Sequence, residues 1–220
     1  SDVLAIAPNR ATQRQLSLMQ MVSGAGDALL GAGTPAALDG RGVGIAVLDS
    51  GIDFRHRNLL GTDGKSRVRE AVDFVTLGRM TFLDAGWTGG RDYSPTIKSL
   101  TAAYFTWTGG AAEPLFARQP DAYGHGTAVA AVAAGAGSYQ TPDSSGIASG
   151  ADLYDVRVLN EQGVGNLADV LAGIDWVIQR SKLANIRVMN MSLGAASTDS
   201  FLVDPLARAA RSATAAGIVV

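Results

Sequence analysis

The amino-acid sequence predicts an α/β fold, a three-layer sandwich with a mostly parallel central sheet, and three observations support this prediction. Four short runs are rich in apolar and β-branched residues: 43–50, 151–159, 186–193 and 217–220. Stretches with helical periodicity separate the last three of these runs. Glycine accounts for 27 of the 220 residues, above the usual share of roughly 7%, as expected for many tight strand-to-helix turns. Near-continuous apolar strands are typical of a sheet covered by helices on both faces, and strand–helix–strand order favours parallel pairing.

The first and last of the predicted strands differ in length. The first, "VGIAVLDS", ends with Asp49 and leads into the turn sequence "DSGID". The last, "GIVV", has only three apolar residues, whereas a strand in a parallel core usually has about five or six residues. We therefore expect the fold to continue past Val220.

Two long helices are predicted from apolar residues at spacings of three and four. The first covers 166–185, with Asn166 as the candidate N-cap. The second covers 199–217, with Asp199 and Ser200 as capping candidates.

A third helix is predicted to begin at His125, in "GHGTAVAAVAAGAG", because such small side chains allow a helix to lie close against a sheet. The region before it, about 62–122, departs from the strand–helix pattern, and we interpret it as an insertion. Within that region, "VREAVDFV" (68–75) is predicted to be a strand and "TAAYFTWTGG" (101–110) part of an aromatic hairpin.

Composition excludes several classes of function. The formal net charge is −2 and no run is rich in lysine or arginine, so no nucleic-acid partner is predicted. No apolar stretch reaches the roughly 18 residues that a membrane span needs. Cysteine is absent, which excludes disulfides, cysteine-ligated zinc and thiol catalysis. The two histidines, His56 and His125, share no metal-binding motif, so no metal site is assigned.

Two residues are candidates for chemistry. Asp49 follows a buried apolar run, at the carboxyl end of a strand, where sheets of this class place their sites. It could orient an imidazole there, or it could cap its own turn. His125 stands between Gly124 and Gly126, which we expect to leave the ring accessible, as a general base requires. The alternative is a histidine whose ring nitrogens are satisfied by nearby backbone.

Four blocks of the sequence resemble, in order, the core of the subtilisin-like serine proteases (peptidase family S8). They are "GVGIAVLDSGID" (42–53), "YGHGTAVAAVAAG" (123–135), "GIASGADLYDVRVLNEQGVG" (146–165) and "VMNMSLG" (188–194). The resemblance implies a serine endopeptidase with a Ser-His-Asp triad. In that triad, Asp49 matches the residue that orients the imidazole and His125 matches the general base.

The resemblance also implies a substrate-binding cleft with two rims, which would bind protein or peptide substrates. One rim pairs with the substrate main chain as a β-strand. It is matched by Ser192, Leu193 and Gly194. The opposite rim is matched by Gly163, Val164, Gly165 and Asn166.

Part of the family's machinery is expected outside these 220 residues. In the family, the strand that corresponds to "GIVV" leads into the asparagine of the oxyanion hole, and the nucleophilic serine follows later. We interpret 15–220 as an incomplete catalytic domain, truncated before its C-terminal strands and serine-bearing helix, and inactive alone. The remaining part is expected either within a longer chain or as a separate chain. Residues 1–14 are interpreted as the end of a propeptide or an N-terminal extension.

Several further expectations follow from the resemblance. It implies a secreted or cell-envelope protein whose chemistry requires no cofactor. Structural calcium is common in the family, and the loops 58–64 and 141–146 have suitable oxygen ligands, but no calcium site is assigned. The alternative function is a non-catalytic subtilisin-like domain that binds peptides or acts as a scaffold through the cleft at Ser192. The matching sequence around Asp49 and His125 favours the enzyme, because a pure binding domain needs neither residue.

Overall fold

The structure is a computed structural model that describes residues 22–25, 38–80, 120–139, 144–195 and 200–220. The predicted N-terminal extension (1–14) and aromatic hairpin (101–110) lie outside these residues. Most of the predicted insertion lies outside them as well, so the insertion stays a prediction.

Four strands form one parallel sheet in the described part of the chain, in the order β2-β3-β1-β4. They are β1 (Gly44–Asp49), β2 (Val68–Asp73), β3 (Asp152–Arg157) and β4 (Ile186–Asn190). The first three apolar runs are confirmed as β1, β3 and β4, and β1 lies between the other two. The fourth run also joins the sheet, because Val219 forms a parallel bridge with Val188 of β4.

Helices cover both faces of this sheet. They are α1 (Phe74–Met80), α2 (His125–Ala134), α3 (Leu167–Ala184) and α4 (Pro205–Ala215). Side chains alternate along β1, so that Ala46 and Leu48 join the buried core beneath α3, whereas Ile45 and Val47 join the core beneath α2. The predicted three-layer α/β architecture is confirmed.

The segment 68–75 differs from its prediction in two ways. The strand ends at Asp73, whose Oδ1 accepts a hydrogen bond from the Thr76 backbone N–H at 2.9 Å and so caps the start of α1. In addition, β2 pairs in parallel with β3 at an edge of the main sheet. This part of the predicted insertion is therefore built into the core of the fold.

The start of α4 also differs from its prediction. The helix begins at Pro205 rather than near Asp199, and Asp204 caps it by accepting from the Ala207 backbone N–H at 2.9 Å. Proline is favoured at this first position because the N–H that it lacks would have no partner within the helix.

The parallel register brings three charged residues together where the strands end. Asp73, Arg157 and Asp49 occupy equivalent positions in β2, β3 and β1. The Arg157 Nη1 donates to Asp73 Oδ2 at 2.8 Å, and both side chains are nearly buried. The carboxyl ends of the strands therefore form the charged edge from which the site is built.

Candidate active site

Asp49 is the last residue of β1, and its side chain is fully buried. The backbone N–H of Ser50 donates to Asp49 Oδ1 at 2.8 Å, so the carboxylate stabilises the turn that follows β1. The same carboxylate also contacts an imidazole. The two roles left open by the sequence are therefore both present.

His125 is the first residue of α2. Its Nδ1 lies 2.8 Å from Asp49 Oδ1 and 2.9 Å from Asp49 Oδ2. An ionised carboxylate can only accept hydrogen bonds, so this contact favours the tautomer in which Nδ1 donates to Asp49 and Nε2 is left to accept a proton. The side chain is 43% exposed, which leaves the ring open to a proton donor from outside.

The glycines beside His125 also have a backbone role that sequence analysis did not predict. Gly124, the residue before α2, has φ of +85°, a left-handed conformation that glycine adopts at little cost. At Gly126, an added Cβ would lie only 2.2 Å from the carbonyl oxygen of Gly51. These glycines allow the helix to start abruptly and to touch the turn after β1, and this contact brings the imidazole onto Asp49.

Sequence analysis missed Asp121, which lies four residues before His125. Its carboxylate accepts hydrogen bonds from Ser50, Gly124 and Thr127. Partial burial by itself raises the pKa of the Asp121 carboxyl, but these hydrogen bonds outweigh that effect and the net pKa lies below its usual value. An aspartate shortly before a predicted helix start can cap the helix, so the sequence did contain a signal for the contact between Asp121 and the first turn of α2.

A cleft of about 340 Å³ opens beside His125. Its lining includes six of the seven residues predicted for the two rims, namely Gly163, Val164, Gly165, Ser192, Leu193 and Gly194. The structure therefore brings together two segments that lie almost 30 residues apart in sequence and places the imidazole at the same cleft. Asn166, at the N-cap of α3, also lines it.

The interior of the cleft is mainly apolar, and sequence analysis had singled out none of the residues responsible. They include Leu159, Leu167, Val170 and Leu206. Tyr123 was missed as well. Its ring is packed so closely against Gly163 that an added Cβ there would lie 2.6 Å from the Tyr123 Cζ. Apolar walls between rims of exposed backbone suit an extended peptide with a hydrophobic side chain.

A second acidic residue, Asp155, is buried behind the turn that follows β1. Its Oδ2 accepts from the Ile52 backbone N–H at 3.1 Å, while Oδ1 has no hydrogen-bond partner among the described residues. Burial raises the pKa of Asp155 to about 8, and the nearby Asp121 and Asp73 add to the shift, while the Ile52 hydrogen bond and Arg157 oppose it.

The described residues offer no cluster of three or more histidine or acidic side chains that could hold a metal ion. In the loop 58–64, where no calcium site was assigned, Asn58 Oδ1 accepts from the Gly137 backbone N–H and Asp63 Oδ1 accepts from the Lys65 backbone N–H. The Asp63 contact is typical of a turn-forming side chain, whereas the Asn58 contact joins segments distant in sequence. Over the same residues, no helix is long and apolar enough to cross a membrane.

Comparison with known proteins gives consistent matches. A family model described as "Subtilase family" matches residues 40–220. Serine protease AprX of Bacillus subtilis (strain 168) is 43% identical over 105 residues, which are 46% of this chain and 24% of AprX. Subtilisin DY of Bacillus licheniformis is 37% identical over 100 residues, 46% of this chain and 33% of that protein. The matched segments span about a quarter to a third of these relatives.

Solved structures show the same fold. Sphericase has a TM-score of 0.56 and 22% sequence identity, with 95% of this chain and 52% of that chain covered. A cold adapted subtilisin-like serine proteinase has a TM-score of 0.50 and 28% identity, with 84% of this chain and 47% of the other covered. The matched part of this chain thus corresponds to about half of each of these two chains.

Proposed function

Because the chain belongs to the subtilase family, we propose that it supplies the aspartate and the histidine of a serine endopeptidase. The observation that carries the proposal is one contact, the 2.8 Å distance between His125 Nδ1 and the buried Asp49 carboxylate. This contact lies at the carboxyl end of a parallel strand, and its imidazole opens onto a cleft suited to a peptide.

In the proposed reaction, His125 accepts the proton of a serine hydroxyl while the serine oxygen attacks the peptide carbonyl, and it then donates the proton to the leaving amine. Asp49 keeps Nδ1 protonated and stabilises the charged ring. The two serines of the described site have other partners, since Ser50 Oγ donates to Asp121 and Ser192 Oγ accepts from Asn190. As the family resemblance implies, the proposal includes a nucleophilic serine and an oxyanion asparagine outside these 220 residues.

The proposed substrates are proteins or peptides bound in extended form between the two rims. The backbone of Ser192, Leu193 and Gly194 would pair with the substrate main chain, and Gly163, Val164 and Gly165 would flank it from the other side. Main-chain pairing supports broad acceptance of sequences, with a preference for apolar side chains from the cleft interior. Secretion or attachment to the cell envelope is part of the same proposal.

The proposal is tested by labelling the full-length protein with a fluorophosphonate probe, which reacts with activated serines. We expect His125→Ala to slow labelling and peptide hydrolysis by more than about 10³-fold, because the serine then lacks its base. The matched control is His56→Ala. His56 caps a 3-10 turn at Arg57–Leu59 and is absent from the cleft lining, so its loss should change the rate only a few-fold.

The outcomes separate the two functions considered. Labelling that depends on His125 supports the enzyme. A full-length protein that is folded, binds peptides and yet neither labels nor hydrolyses would contradict it and would favour a peptide-binding or scaffold domain.

A further inference from the structure

We propose that Asp121 is a positioning residue, whose carboxylate fixes the start of α2 against the end of β1 and thereby holds His125 on Asp49. The inference rests on the proposed function only in assigning catalysis to that pair. The positioning role itself depends only on the hydrogen bonds that Asp121 forms in the structure.

The Asp121 carboxylate receives four hydrogen bonds. Its Oδ1 accepts from Ser50 Oγ at 2.8 Å and from the Gly124 backbone N–H at 2.9 Å. Its Oδ2 accepts from the Thr127 backbone N–H at 2.8 Å and from Thr127 Oγ1 at 2.7 Å. One side chain therefore contacts Ser50, which follows Asp49, and also Gly124 and Thr127, which lie before and after His125 in the sequence.

Two hydroxyl groups extend this link across the site. Each hydroxyl directs its single proton to Asp121, so its oxygen lone pairs are left to accept. Ser50 Oγ accepts from the Gly126 backbone N–H at 3.1 Å, and Thr127 Oγ1 accepts from the Asp53 backbone N–H at 2.9 Å. The turn after β1 and the first turn of α2 are thus tied together twice, and both ties depend on the orientation that Asp121 imposes on a hydroxyl.

The chemistry of this arrangement requires a carboxylate. All four partners of Asp121 are donors, and an ionised carboxyl offers two acceptor oxygens. An asparagine has one acceptor oxygen, and its amide group would point N–H bonds at two of the donors. Hydrogen bonds to charged acceptors are also stronger than neutral ones. The lowered pKa of Asp121 agrees with this assignment, because the bonds favour the ionised form.

The catalytic pair has little freedom to absorb a shift of α2. The helix already touches the turn after β1 at Gly126, and Ser50 donates its backbone N–H to Asp49 while its hydroxyl contacts Asp121. A change at Asp121 would therefore move the imidazole relative to its carboxylate. Displacements of about 1 Å in a catalytic group can cost on the order of 10²-fold in rate.

The test is Asp121→Asn in the full-length protein, with turnover normalised to the number of active sites by fluorophosphonate titration. We expect kcat to fall about 10²-fold while KM changes less than about 3-fold, because the cleft is intact. The matched control is Asp63→Asn, the same chemical change in a turn outside the cleft, where the carboxylate accepts from Lys65. It should leave both constants unchanged.

A second pair of variants covers the case in which Asp121→Asn fails to fold. Thr127→Ser keeps the hydroxyl that joins Asp121 to Asp53, whereas Thr127→Val removes it at similar size. Of these two Thr127 variants, we expect Thr127→Val to lower kcat and Thr127→Ser to keep it. If Thr127→Val keeps wild-type kcat per active site, the hydroxyl that Asp121 orients does not help to position the pair, and the proposal is wrong.

A spectroscopic measurement separates this inference from the proposed function. We expect the Nδ1 proton of His125, held by Asp49, to give an NMR signal that is lost in His125→Ala, and detecting this signal needs no turnover. We expect Asp121→Asn to broaden or abolish it and Asp63→Asn to preserve it. A protein without hydrolytic activity would contradict the proposed function, whereas an unchanged His125 signal in Asp121→Asn would contradict the positioning role.

Discussion

The two halves of the site are held in opposite ways. The proton-transfer half (Asp49, Ser50, Asp121, His125 and Thr127) is connected by side-chain hydrogen bonds of 2.7–3.1 Å around a fully buried carboxylate. In the cleft half (163–165 and 192–194), the rim 192–194 presents exposed backbone. Val164 is 62% exposed, and an added Cβ on Gly194 would meet nothing within 4 Å. Proton transfer requires side chains in fixed positions, whereas main-chain pairing requires open backbone.

The largest expected effect is that of Asp49→Asn in the proton-transfer half. The amide would no longer hold Nδ1 in its protonated form, so we expect kcat of the full-length protein to fall about 10⁴-fold with KM nearly unchanged. Hydrolysis of a fluorogenic peptide measures both constants. A loss smaller than tenfold would show that His125 does not depend on its buried partner.

The next largest effect is the pH dependence of stability caused by Asp155, which is buried behind the turn that follows β1. Because burial raises its pKa to about 8 in the folded protein, the folded state binds a proton that the unfolded state releases near pH 4. The contribution of Asp155 to stability is complete below pH 4 and is lost as pH rises through about 8, at up to about 1.4 kcal/mol per pH unit. The charged groups that act on it are Asp121, Asp73 and Arg157.

Asp155→Asn tests this expectation, because asparagine stays neutral and keeps an acceptor for the Ile52 N–H. Urea unfolding at pH 5 and pH 8 should show that the variant gains stability relative to wild type as pH rises. Parallel curves for the two proteins would mean that Asp155 is already ionised at pH 5. Asp63→Asn, in an exposed turn, should leave the pH dependence unchanged.

The same contrast explains what could be predicted from the sequence. Three strands and the helix at His125 were predicted correctly, because apolar runs and small-residue periodicity report burial directly. β2 was predicted to be a strand but was assigned to an insertion, because the region 62–122 departs from the strand–helix pattern. At this sheet edge the exposed Arg69 also interrupts the apolar run of the strand. The rim residues were predicted only through the family resemblance, since exposed backbone leaves little trace in side-chain chemistry.

The proton-transfer half was predicted only in part, for a physical reason. Asp49 and His125 lie in sequence motifs that can be recognised. The contact between Asp121 and Ser50, in contrast, joins residues 71 positions apart and depends on how closely α2 approaches β1. Gly126 is a second residue whose role could not be predicted from the sequence. The sequence revealed a glycine beside a histidine, and only the fold shows that its missing side chain makes room for the Gly51 carbonyl.

Two glycine substitutions compare the halves directly. Gly126→Ala would place a methyl group 2.2 Å from the Gly51 oxygen, so we expect a loss of about 1–3 kcal/mol in the free energy of unfolding and a fall in kcat. Gly194→Ala adds the same group where nothing lies within 4 Å, so stability should change by less than about 0.5 kcal/mol. Urea unfolding measures both. Equal losses would contradict the distinction between the closely packed start of α2 and the open rim at Gly194.

The smallest expected effect lies where the halves meet, at Tyr123. Its ring packs against Gly163 and lies 6.3 Å from the His125 ring, between centroids, so it forms part of the cleft wall without a hydrogen bond to the catalytic pair. Tyr123→Ala should therefore raise KM for peptides about 2- to 10-fold, as expected for the loss of one aromatic contact of about 0.5–1.5 kcal/mol, and should leave kcat nearly unchanged. Tyr123→Phe keeps the ring and should retain the wild-type KM. A fall in kcat with constant KM would instead place Tyr123 in the proton-transfer half.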